Sequence, residues 1–150
     1  MSLASLLVLA TLLAITGDRT EIEFTKDSIE VVKDNVSKET AVLIDVRSKE
    51  EWAKGHIEGS IFLPIDSLRK GGDPKEIAKK LPKDKTIYTF CVVGMRAKAA
   101  AKVLVKYGYE VRALKPGYDE LIKAGFKKAD AKKSAKSAAA NEDTRQRNAG

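Results

Sequence analysis

Cys91 is the only cysteine in the chain, and Val92-Val93-Gly94-Met95-Arg96 follow it. A thiolate is a strong nucleophile, and its chemistry depends on what surrounds the sulfur. Gly94 permits a backbone conformation that curls a loop around an anion. A helix opening at Arg96 adds unpaired N–H groups and a partial positive charge. A cationic Arg96 at a helix start is unfavourable unless an anion offsets it, either the Cys91 thiolate or a bound oxyanion. The same field favours the ionised sulfur. These residue types describe a cradle for a nucleophilic sulfur and a small anionic substrate. A lone cysteine is more often a small buried hydrophobe, and the strand, loop and helix around Cys91 argue for the reactive reading.

Asp45 ends the apolar run Ala41-Val42-Leu43-Ile44, with Arg47 and Glu51 shortly after it. In open parallel sheets ligands bind beyond the carboxyl ends of strands, so Asp45 and Cys91 are expected at one edge. Charges buried there need partners, and the expected pairs are Asp45–Arg96 or Arg47–Glu51. His56 lies between Gly55 and Gly59 and reads as a turn residue, since an ionised thiol needs no general base. Trp52 is at helical spacing from Ser48 and reads as core. Lys98, Lys102 and Lys106 form a solvated stripe.

The elements that position these groups alternate. Strands are expected at Ile22–Phe24, Ala41–Ile44, Ile61–Leu63, Thr86–Phe90 and Tyr109–Leu114. A helix is expected from Lys26 to about Ser37, capped by Thr25 and carrying Ile29, Val32 and Val36 inward. Ser48 and Glu51 form a capping box for a short helix ending near Lys54. Asp73 caps a helix with Pro74 at its first position. The helix Arg96–Tyr107 turns Ala97, Ala100, Ala101 and Leu104 inward and stops at Gly108. Tyr118–Ala124 is the last helix, closed by Gly125. This alternation predicts an α/β fold: a parallel sheet with helices on both faces.

The chain has 150 residues, enough for one compact domain, with 43% hydrophobic and 33% charged residues. One cysteine excludes an internal disulfide, and one cysteine with one histidine cannot build a Cys/His zinc site. No metal or cofactor is expected. Residues 1–17 carry no charged side chain, and residues 3–15 are apolar except for Ser5 and Thr11. That run is short of the roughly 18–20 residues of a membrane span and suits a signal peptide. No Lys or Arg precedes it, and the cleavage pattern is poor, so an uncleaved membrane anchor through residues 3–15, or a buried helix, is the other reading. A signal peptide or an anchor predicts an exported, periplasmic or membrane-anchored protein. Residues 127–150 are rich in Lys and Ala, without aromatic or large aliphatic residues, and predict a disordered tail. Seven positive and three negative side chains there supply +4 of the formal +7. The folded part, residues 18–126, is therefore nearly balanced, and no nucleic-acid partner is expected.

Asp45-Val46-Arg47, Glu51-Trp52, Gly55-His56-Ile57-Glu58-Gly59-Ser60 and Cys91-Val92-Val93-Gly94-Met95-Arg96, in that order, resemble the motifs of a single-domain rhodanese. The resemblance runs from about Thr25 to Phe126. It implies a rhodanese-like three-layer fold with a central parallel five-stranded sheet. It implies a sulfurtransferase in which Cys91 takes a sulfane sulfur from thiosulfate or a similar anion and becomes a persulfide. The sulfur then passes to a thiophile: an external thiol, cyanide or a protein thiol. The backbone amides of Val92, Val93, Gly94, Met95 and Arg96 would hold the anion, and Asp45 and Arg47 would brace the site. A noncatalytic rhodanese-like module that binds sulfur or a partner protein is the alternative. Related phosphatases and arsenate reductases place one more residue between Cys and Arg than the four found here. The smaller ring suits a sulfur atom better than a phosphoryl group. Many active members have small or polar residues where Val92 and Val93 stand and a serine where Ala97 stands. The two valines are expected to narrow and dry the pocket mouth. Lys115-Pro116-Gly117 replaces a common glycine pair, and Pro116 stiffens a turn that approaches the cysteine loop.

Overall fold

Side chains alternate across a strand, so an apolar run such as Ala41–Ile44 demands cover on both faces of its sheet. The computed structural model, which describes residues 21–130, supplies both covers. The elements run α1 (Ile29–Ser37), β1 (Ala41–Asp45), α2 (Lys49–Lys54), β2 (Ile61–Phe62), α3 (Ile65–Arg69), α4 (Pro74–Lys80), β3 (Thr86–Phe90), α5 (Met95–Lys106), β4 (Val111–Ala113) and α6 (Tyr118–Lys123). The strands form one parallel sheet in the order β2-β1-β3-β4. On one face Ile44 and Ile87 pack with Leu68, Ile77, Ala100 and Leu104, contributed by α3, α4 and α5. On the other, Leu43, Tyr88 and Phe90 pack with Val32 of α1 and Leu121 of α6. The expected three-layer rhodanese-like α/β fold is present.

The sheet has four strands among the described residues, not the expected five. The Ile22–Phe24 strand shrinks to a single parallel bridge between Phe24 and Ala113, backed by the Thr25 amide on the Ala113 carbonyl at 2.8 Å. The chain then leaves the edge. Asp27 is drawn to the Tyr88 hydroxyl and to Arg112, each at 2.7 Å. The first helix accordingly starts at Ile29, capped by Ser28, rather than at Lys26. The Thr25 hydroxyl, expected to cap it, accepts from the Asp27 amide instead. Helix α3 was not expected. It is one short turn whose Ile65 and Leu68 are buried.

The fold also continues past Phe126, where the sequence predicts the tail to begin. The Glu58 amide donates to the Lys127 carbonyl at 2.8 Å, and the Ala129 amide to the His56 carbonyl at 2.9 Å. Backbone pairing, which needs no apolar side chain, orders this segment against residues 56–58. The predicted signal peptide or anchor, residues 1–17, and tail residues 131–150 lie outside the described residues. Among the described residues no helix is long and apolar enough to cross a membrane.

Candidate active site

The two central strands end side by side, with Asp45 in register with Phe90. Cys91 is the next residue and is fully buried, against the α5 face of the sheet. The loop then turns at Gly94, whose φ of 85° is left-handed and serves as the N-cap of α5. The Gly94 amide donates to Cys91 Sγ at 3.1 Å. The sulfur is thus packed among the core residues of this face and also accepts one backbone N–H beside a helix start.

Close approach by other elements fixes this turn. A Cβ at Gly94 would sit 2.6 Å from the Phe24 ring and 3.2 Å from the Leu114 carbonyl oxygen. Gly117 packs so tightly that a Cβ there would overlap the Val92 carbonyl oxygen. The Tyr118 amide donates to the Cys91 carbonyl at 2.9 Å. The turn after Pro116 approaches the cysteine loop, as the sequence expects, and it holds the loop through backbone contacts.

The charged groups pair differently from expectation. Arg96 reaches Glu51, not Asp45, with Nη1 on Oε2 at 2.6 Å and Nη2 on Oε1 at 2.9 Å. Arg47 pairs with Asp45, not Glu51. Its Nη2 donates to Oδ2 at 2.6 Å and its Nε to Oδ1 at 2.9 Å. Both members of this second pair are buried. Two-residue spacing lets Arg47 fold back onto Asp45, and its own amide donates to Oδ1 at 3.0 Å. Nη2 also reaches the Gly55 carbonyl at 2.8 Å, and the guanidinium lies 4.0 Å over the Tyr118 ring. Burial raises the Tyr118 phenol's pKa, and Arg47 opposes that rise.

Glu51 is the site residue that sequence reasoning placed in the wrong pair. The expected capping box is present, with the Ser48 amide donating to Oε2 at 2.8 Å. The cap fixes the carboxylate's position and leaves it free to take Arg96 as well. The Arg96 hydrogen bonds, foremost, lower the Glu51 pKa from 4.5 to about 2. Glu51 in turn raises Arg96, with a smaller contribution from Cys91. A resident carboxylate thus offsets the cation at the α5 start, which the sequence assigned to the thiolate or a bound oxyanion.

Val92, Val93 and Met95 are 46%, 70% and 67% exposed. Both valines are thus exposed, where the sequence expects them to narrow and dry the pocket mouth. Beside the loop lies a cleft of about 210 Å³ lined by Arg47, Glu51, Lys54, Val92, Tyr118 and Lys128, with Gly55 and Asp119. Trp52 is half-buried, not core, and stacks on His56 at 3.7 Å. His56 lies in the expected turn. Among the described residues no cluster of His, Cys, Asp and Glu is built to hold a metal.

The fold has counterparts in known proteins. The human single-domain sulfurtransferase TSTD1 superposes with a TM-score of 0.56 at 26% identity, covering 65% of this chain and 94% of that one. The Saccharomyces cerevisiae single-domain sulfurtransferase RDL2 gives 0.54 at 26% identity, covering 68% and 95%. A tRNA uridine(34) hydroxylase of Bacillus cereus is 35% identical over 85 residues, which is 57% of this chain and 25% of that protein. The chain spans well under two thirds of the curated relatives it matches. The model of the rhodanese-like domain matches residues 28–124, and the chain belongs to that family.

Proposed function

We propose that this protein is a sulfurtransferase that carries a sulfane sulfur on Cys91. The Cys91 thiolate attacks the outer sulfur of thiosulfate or a similar donor. The donor's S–S bond breaks, and sulfite leaves with the electron pair. An external thiophile then attacks the outer sulfur of the persulfide, and Cys91 departs as the thiolate. No oxidant or metal enters either step. The amides of residues 92–96 hold the anion and the persulfide, with Gly94 already directed at the sulfur. The Glu51–Arg96 pair anchors the loop, and the Asp45–Arg47 pair braces the strand end beneath it. The observation that carries this reading is a buried Sγ at the carboxyl end of β3 that accepts a backbone N–H.

Mass spectrometry after incubation with thiosulfate tests it. The expected result is a gain of one sulfur atom on Cys91 that is absent in Cys91→Ser. The complete burial of Cys91 favours one second reading, a noncatalytic sulfur-binding or protein-interaction module. Failure of thiosulfate and other sulfane donors to load Cys91 would count against transfer and support that reading. The apolar stretch at residues 3–15 supports function outside the cytoplasm. Cell fractionation with N-terminal sequencing tests this, and a cytosolic chain that still begins at Met1 would refute it.

A further inference from the structure

Four large apolar side chains are exposed among the described residues, and Val92, Val93 and Met95 of the cysteine loop are three of them. Monomeric surfaces scatter such residues singly, whereas a cluster marks a contact surface. The charge beside this cluster is mostly positive. Lys54 and Lys128 share the cleft with Val92. On the other side, Lys98 Nζ lies 5.0 Å over the Phe24 ring, which packs against Gly94. The carboxylates lining the cleft are Glu51, already held by Arg96, and Asp119, and Asp130 lines the adjoining cavity with Lys54 and Lys128.

Resting on the proposed sulfur transfer, we infer that this rim docks an acidic protein that presents its reactive thiol on an apolar loop. Cys91 is the only thiol in the chain, so sulfur bound there must leave to another molecule. A small hydrophilic thiol gains nothing from three exposed apolar side chains. A protein loop with apolar residues beside its cysteine buries them, and acidic residues beyond that loop meet Lys54, Lys98 and Lys128. In the exchange, the partner thiolate attacks the outer sulfur of the Cys91 persulfide. That sulfur leaves on the partner, and the S–S electrons return to Cys91.

The test separates docking from chemistry by using the full-length Cys91→Ser protein, isotope-labelled for methyl NMR. It is titrated with three synthetic peptides that carry serine in place of the reactive cysteine. One has leucines beside the serine and glutamates beyond them. The second has lysines in place of the glutamates. The third keeps the glutamates and replaces the leucines with glycines. The expected result is binding of the first peptide about tenfold tighter than either other, with shifts at the Val92, Val93 and Met95 methyls and weakening by added salt. Val93→Ser and Lys98→Glu, each in the Cys91→Ser background, should weaken it about fivefold. Equal binding of the three peptides, no binding, or shifts away from the rim would overturn the inference. So would dimerisation through the rim, seen by sedimentation, or rim-dependent binding to phosphatidylglycerol vesicles. Because no sulfur moves in this experiment, its outcome is independent of whether thiosulfate loads Cys91.

Discussion

Arg96 of α5 grips Glu51 of α2, 45 positions away in sequence, through both terminal nitrogens, at 2.6 and 2.9 Å. The pair ties the helix after the cysteine loop to the helix after Asp45. It also sets how much of the Arg96 charge Cys91 feels. In Glu51→Gln that charge is no longer neutralised by a carboxylate, so alkylation of Cys91 by iodoacetamide at neutral pH should accelerate. In Arg96→Ala it should slow, by about threefold to tenfold if a partly screened charge is removed. Equal alkylation rates in the wild type and both variants would remove the electrostatic account.

The same pair makes stability depend on acid. The Glu51 carboxyl titrates near 2 in the folded protein, below its ordinary 4.5. A depressed folded value means the stabilisation is fully present above about pH 4.5 and disappears as pH falls toward 2. Asp27 is also lowered, chiefly by the Tyr88 hydroxyl and then by Arg112, and adds to the acid loss. Thermal unfolding from pH 6 down to 2 should show Glu51→Gln less stable than wild type at the upper end, with the gap closing at the lower end. A gap independent of pH would contradict this.

Arg47→Ala should be among the most damaging substitutions. It leaves the Asp45 carboxylate buried without its cation, which typically costs about 3–5 kcal/mol. Arg47→Lys should recover only part of this, since one ammonium cannot reproduce the paired Nε and Nη2 contacts. Denaturant unfolding of both variants measures the difference.

Gly94→Ala meets two obstacles. Its φ of 85° disfavours any side chain, and the Phe24 ring occupies the space a Cβ would need. The expected cost is about 1–3 kcal/mol of stability, with sulfur loading reduced further because the amide at Cys91 moves. Phe24→Ala together with Gly94→Ala should recover part of the loading, since the collision with the ring is then gone and only the Leu114 carbonyl, at 3.2 Å, still crowds the new Cβ. Mass spectrometry after thiosulfate treatment reads both effects.

Much of the fold was legible because the decisive elements are locally unambiguous. Ala41–Ile44 is an apolar run, Thr86–Phe90 is made of β-branched and aromatic residues, and the alanine-rich inner side of Met95–Lys106 has helical spacing. Ile65–Arg69 was not legible, since two apolar residues in five carry no period. The edge strand failed for a nonlocal reason: Asp27 finds Tyr88 and Arg112, both distant in sequence. The candidate site was legible as residues but not as pairs. Spacing showed that Asp45, Arg47, Glu51 and Arg96 needed partners, whereas the side-chain reach and capping geometry that chose them exist only in three dimensions. The exposure of Val92 and Val93 was also hidden, because residue type alone predicts burial for a valine.

The seam between Gly117 and Val92 is made of main chain on both sides, so no side chain there can be exchanged to relax it. Point mutation can trim or charge the outside of the pocket, but it leaves this seam in place. A wider opening here would need the main chain itself to take another course, not a new side chain.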